Sequence, residues 1–143
     1  MIFFDTNVVS ELMKPCPDST VEAWFKVQSP ASIRVSVIVS AEIEAGIARL
    51  PAGKRKSDIA QVAERVLNML GGHFVPVDLE HVVPFGRVSA LKRSHGRRFA
   101  PLDNLIAATV LAANATLATR NTKDFEGLGI DLINPWEFQG TAA

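Results

Sequence analysis

Apolar residues along the chain alternate between short runs and helical stripes, separated by polar, proline or glycine breaks. Ile2–Phe4 is an apolar run that stops abruptly at Asp5, which predicts a short buried strand with a polar carboxyl end. Ile33, Val35, Val37 and Ile38 are rich in β-branched residues and predict a second strand. Phe74–Val77 predicts a third, placed at a sheet edge by Pro76, which has no N–H to give a ladder. Thr116–Thr119 and Asp131–Ile133 predict a fourth and a fifth.

Helical spacing fills the intervals. Asp18 or Ser19 can cap a helix carrying Val21, Trp24, Phe25 and Gln28. Ser40 is expected to cap a helix running to about Leu50, broken at Pro51-Ala52-Gly53. Ser57 is expected to open another, with Ile59, Val62, Ala63, Val66, Leu67 and Leu70 on one face and a stop at Gly71-Gly72. A helix from about Leu79 to Arg93 carries Val82, Val83, Phe85, Val88 and Leu91 and ends at His95-Gly96. Pro101 suits the first position of a helix through Asn114, where Leu102, Leu105, Ile106, Thr109, Val110 and Ala113 repeat. Strands separated by helices imply an α/β fold with a mostly parallel sheet of four to five strands.

At 143 residues the chain fits one domain, expected over 1–138 with a short tail at 139–143. Fifteen basic and fifteen acidic residues cancel, which excludes a generally basic nucleic-acid protein but leaves room for local patches. Two such patches exist. Five cations and no acid lie between His81 and Leu102 (Arg87, Lys92, Arg93, Arg97, Arg98), and four between Ala45 and Ser57 (Arg49, Lys54, Arg55, Lys56). Cys16 is the only cysteine, so no intrachain disulfide forms and a reducing compartment is expected. With no readable signal peptide or membrane span, the expectation is a soluble cytoplasmic domain without a membrane partner.

Ligands of parallel α/β sheets bind outside the carboxyl ends of the strands, and several acids fall there or at helix starts. Asp5 follows the first strand, Glu42 and Asp103 fall in predicted first turns, and Asn121 and Asp124 follow the fourth strand. A first-turn acid alone often only complements a helix dipole. A carboxylate closing a buried strand is different, because it is costly unless paired or metal-bound. Several together repel one another without a cation and supply the oxygen ligands that magnesium or manganese takes.

Four stretches carry a family resemblance: Phe4-Asp5-Thr6-Asn7-Val8-Val9-Ser10-Glu11-Leu12, Ser40-Ala41-Glu42-Ile43-Glu44-Ala45-Gly46, Pro101-Leu102-Asp103-Asn104-Leu105-Ile106-Ala107-Ala108 and Ala118-Thr119-Arg120-Asn121-Thr122-Lys123-Asp124-Phe125, closing with Asn134-Pro135-Trp136. In this order they resemble the PIN-domain ribonucleases, above all the VapC toxins of the FitB-like branch. The resemblance implies a three-layer α/β/α fold and a Mg2+- or Mn2+-dependent endoribonuclease acting as the toxin of a type II toxin–antitoxin pair. It implies that Asp5, Glu42 and Asp103 are catalytic metal ligands. The family often has a fourth acid just after its Thr-Arg pair, where this chain has Asn121, so Asp124 is taken as the substitute. Thr6, Asn7, Thr119 and Asn121 would hold the ligands from behind by hydrogen bonds. RNA, a small cognate antitoxin and a homodimer or toxin–antitoxin hetero-oligomer are the implied partners. The helices carrying Trp24/Phe25 and Ile59–Leu70 are candidate surfaces for the protein partners.

Arg97 and Arg98, close to Asp103 in sequence, are expected to contact RNA phosphates. His73, His81 and His95 show no metal-ligand spacing, and Cys16 between two prolines is a bystander thiol. Two other readings compete. A haloacid-dehalogenase-like phosphatase needs a second Asp two residues after the first, where this chain has Asn7. A non-catalytic RNA- or protein-binding module of α/β fold needs no metal.

Overall fold

In a computed structural model, which describes residues 1–140, Ile2–Phe4 forms β1 and leads directly into a short helix, α1 (Thr6–Leu12). The chain continues through α2 (Ser19–Lys26), β2 (Ile33–Ser36), α3 (Val37–Ala48), α4 (Lys54–Met69) and β3 (Phe74–Val75). It then forms α5 (Val82–Ser94), α6 (Pro101–Ala112), β4 (Thr116–Ala118) and β5 (Asp131–Ile133). Short 3₁₀ turns at Thr122–Asp124 and Pro135–Glu137 flank the last strand. Of the expected tail, residues 141–143 lie outside the described residues.

The five strands are all parallel, in the order β3-β2-β1-β4-β5. Pairing Ile2 with both Ile33 and Thr116 puts β1 at the centre. Phe3 and Phe4 are accordingly both buried, as a central strand covered on two faces requires. Helices cover both faces, which gives the expected three-layer arrangement. The core joins Phe4, whose ring centroid lies 5.2 Å from that of Trp24, to Val8, Val35, Ile106 and Leu117. The chain builds outward from β1 to β3, then crosses back to lay down β4 on the other side. That reversal opens a crevice at the carboxyl ends of β1 and β4, and the Asp5 N–H donates to the Ala118 carbonyl there at 3.0 Å.

Several boundaries differ from the expectations. The β-branched run does not continue as strand through Ile38. Ser36 ends β2 and caps α3, its hydroxyl accepting from the Ile38 N–H at 3.2 Å. Ser40 therefore lies inside α3 and donates to the Val37 carbonyl at 2.7 Å instead of capping. Glu42 consequently stands in the second turn of the helix. Helix α1 was not expected. α4 begins at Lys54, after Gly53 with φ 149°, ahead of the expected Ser57. Leu79–His81 forms a 3₁₀ turn before α5, and Val82, Val83 and Leu91 face water, so the buried face of α5 is not the apolar stripe. β3 stops at Val75, at the edge that Pro76 demands. Among the described residues no helix is long and apolar enough to cross a membrane.

Candidate functional site

Asp5 sits where β1 turns into α1, and both of its carboxylate oxygens are held. Oδ1 accepts from the Thr6 N–H at 2.8 Å, capping the helix. Oδ2 accepts from the Thr119 hydroxyl at 2.7 Å and the Asn7 side-chain amide at 3.3 Å. Asn7 also ties the two strand ends together, since its Oδ1 accepts from the Arg120 N–H at 3.2 Å. Here Asn7 is a positioning donor to Asp5, which disfavours a phosphatase reading that needs an acid at this place. The Thr6 hydroxyl donates to Glu42 Oε1 at 2.6 Å, joining α1 to α3. Asp103 lies in the first turn of α6 after Pro101 and is half-buried. Asp124 ends the 3₁₀ turn after β4 on the exposed side, anchored by the buried ring of Phe125.

These carboxylates share one electrostatic field. Burial pushes the Asp5 carboxyl up to about 6, and the charges of Asp103 and Glu42 add to the rise while the Thr119 and Thr6 hydrogen bonds oppose it. Asp103 is also raised, first by burial and then by Glu42 and Asp124, against the pull of Lys92. Among the described residues, no group of three or more acid, His or Cys side chains stands close enough together to hold a metal ion. The arrangement is an open, oxygen-only donor set in which the neighbouring acids disfavour the charged forms of Asp5 and Asp103. Its donors are of the oxygen type that a hard divalent cation such as Mg2+ takes, and that cation keeps several waters and needs only one or two carboxylates directly.

Asn121 and Asp124 share one turn, where the Asp124 N–H donates to the Asn121 carbonyl at 3.0 Å, but their side chains are placed differently. Asn121 gives its backbone N–H to the Thr119 hydroxyl at 3.1 Å and presents its side chain to solvent. Asp124 instead lines a cavity of about 330 Å³ together with Asp103, Arg97, Arg98, Lys123 and Lys92. Arg97 donates to the Asp124 carbonyl at 3.4 Å, bringing the basic stretch to the acids. Lys92, which the sequence marks only as one of the five cations of that stretch, is set apart by its burial. It is only 4% exposed, and burial lowers its pKa while Asp103 and Asp124 oppose the fall. The missed signal was spacing: Lys92 follows Phe85 and Val88 at i+7 and i+4, on the buried face of α5.

Other candidates resolve more simply. Trp24 is 3% exposed within the core of its own chain, so it offers no partner surface, while Phe25 is half-buried beside it. Ile59 and Val62 of α4 do reach an open groove of about 520 Å³, together with Met13, Ile43 and Ile47, and that groove runs to Thr6 and Glu42. His81 is buried and accepts from the Asp78 N–H at 2.8 Å, a local cap. Cys16 is exposed.

Comparison with known proteins agrees with this geometry. The model of the PIN domain family matches residues 2–129. A VapC ribonuclease of Sinorhizobium fredii is 41% identical over 96% of this chain and 99% of its own length. The toxin FitB of Neisseria gonorrhoeae is 33% identical over 95% of this chain and 99% of its own. The crystal structure of FitAcB from Neisseria gonorrhoeae superposes with a TM-score of 0.86 at 32% identity, covering 96% of this chain and 100% of that one. The parallel sheet with its reversal at β1, the acids gathered there and a family match over most of the chain lead to one assignment: this chain belongs to the PIN-domain family.

Proposed function

We propose that this chain, as a single domain over 1–138, is a metal-dependent endoribonuclease and the toxin of a type II toxin–antitoxin pair. The observation that carries this reading is the electrostatic coupling of Asp5, Glu42, Asp103 and Asp124 at the reversal point of a PIN sheet. Asp5, Glu42, Asp103 and Asp124 would hold Mg2+ or Mn2+, with Asn121 replaced by Asp124 as the fourth acid. Bound there, the cation supplies Lewis acidity to a phosphoryl oxygen, a lowered pKa to a water, and charge compensation to the leaving oxygen. The side chains do the rest. Thr119, Asn7 and the Thr6 N–H fix Asp5, and the Thr6 hydroxyl fixes Glu42, so the ligands are preorganised. Arg97 and Arg98 set the RNA backbone in register by its phosphates.

The groove beside Glu42 supports the antitoxin part of the reading. Its apolar floor suits an amphipathic segment of a small partner, and a basic side chain on that segment would reach Glu42 and neutralise the acids. A cytoplasmic homodimer, or a hetero-oligomer with the antitoxin, completes the proposal. Induced expression in a bacterial host tests it. Wild type should arrest growth with RNA breakdown, and co-expression of the protein encoded beside it should relieve the arrest. Asp103→Asn should be harmless at equal protein level, and a harmless wild type would count against the toxin.

A further inference from the structure

Lys92 is a cation that the roles above leave without a task. It is 4% exposed on α5, although its chain neighbours Leu91 and Arg93 face water. Among the described residues its ammonium has neither an ion pair nor a side-chain hydrogen bond. Its Nζ lies 5.5 Å from the centroid of the Phe125 ring, the same ring that anchors Asp124. Burying a lysine side chain is costly, and the charges of Asp103 and Asp124 across the cavity offset part of that cost here.

The cavity it lines explains where the charge faces. Four cations, Lys92, Arg97, Arg98 and Lys123, share that wall with only Asp103 and Asp124. An excess of positive charge beside a metal-type acidic cluster suits an anion that bridges the two. Arg98 and Lys123 are exposed, and Arg97 already gives an N–H to the Asp124 carbonyl. Lys92 alone has a largely buried side chain, its Nζ over the Phe125 ring, so less freedom remains for it to lose on meeting an anion.

Building on the ribonuclease reading, we propose that Lys92 is a substrate-contacting residue whose ammonium takes a non-bridging oxygen of an RNA phosphate in the cavity of Asp103 and Asp124. Binding of a labelled RNA oligomer by the full chain in EDTA, followed by fluorescence anisotropy across a salt series, tests this apart from cleavage. Lys92→Met should weaken binding roughly tenfold and reduce the slope of log K against log salt by about 0.7, the loss of one single-strand phosphate contact. Lys92→Arg should restore both, and Lys26→Met, whose lysine pairs with Glu22 on α2, should change neither. A folded Lys92→Met protein with the wild-type slope overturns the assignment. Should that variant not fold, the Lys92 Cε–Hε NMR signal of wild type decides: it should shift on RNA addition, and an unmoved signal overturns the proposal. A wild type that binds no RNA in EDTA and cleaves none with Mg2+ or Mn2+ removes the ribonuclease reading as well, whereas normal binding by the folded variant removes only the role of Lys92.

Discussion

Asp5 caps α1 and joins two strand ends while carrying a charge that its surroundings oppose. Its folded pKa of about 6 stands above the ordinary 3.8, so the folded chain keeps this proton more tightly than the unfolded one. As pH rises from about 4 to 6 the unfolded state loses the proton first, and Asp5 makes stability fall across that window. Above it the full cost of the charge is in place. Asp5→Asn should therefore abolish RNA cleavage yet stabilise the metal-free protein at pH 7.5 by roughly 1–2 kcal/mol, the removed charge outweighing a weakened hydrogen bond. Urea unfolding of both proteins from pH 4 to 8 checks this. A variant less stable than wild type at pH 7.5 would contradict it. The same scale separates Asp124 from Asn121: Asp124→Asn should lower the cleavage rate at least tenfold, Asn121→Ala only a few-fold. The reverse order in a single-turnover assay would give Asn121 the ligand role.

The acids at this scale were legible because a carboxylate after an apolar strand, or beside a helix-starting proline, has few structural excuses. Lys92 was not, because a lysine on a basic helix reads as solvent-facing until its burial is seen. Elements obey the same logic. α1 escaped notice because a seven-residue helix is marginal alone and exists here through the Asp5 cap and the burial of Val8 and Val9. The start of α3 was misplaced because Val37 and Ile38 favour strands, whereas the Ser36 hydroxyl and the burial of Val39 and Ile43 decide for helix. That cap is testable. Ser36→Ala leaves the half-buried Ile38 N–H without its acceptor and should cost about 1–2 kcal/mol. Because α3 carries Glu42, cleavage should fall as well. An unchanged midpoint in thermal unfolding would contradict the role given to Ser36.

For the whole molecule, zero net charge conceals a division of labour. Acids gather at the sheet reversal, cations line the neighbouring cavity, and an apolar groove runs up to Glu42. The alternation of strands and helices pointed to a mostly parallel sheet, and the acids at strand ends and helix starts, with the family resemblance, pointed to the candidate site. The groove was not legible, since the α4 stripe of Ile59 and Val62 looks the same in sequence whether it packs inward or lines an open surface. Gly46 marks that groove, and a Cβ there would meet nothing within 4 Å. Gly46→Leu should consequently fold and cleave like wild type but bind the antitoxin at least tenfold more weakly, as calorimetry of the purified pair would show. Undiminished affinity would place the antitoxin elsewhere.

One measurement reaches the centre of the account: cleavage of defined RNA oligomers and total RNA by the purified, antitoxin-free protein, with Mg2+, with Mn2+ and with excess EDTA, beside Asp103→Asn. Cleavage that requires the cation and disappears in the folded variant is the expected result. Cleavage that persists in EDTA, or that survives in Asp103→Asn, would contradict a metal-dependent nuclease site built on these carboxylates.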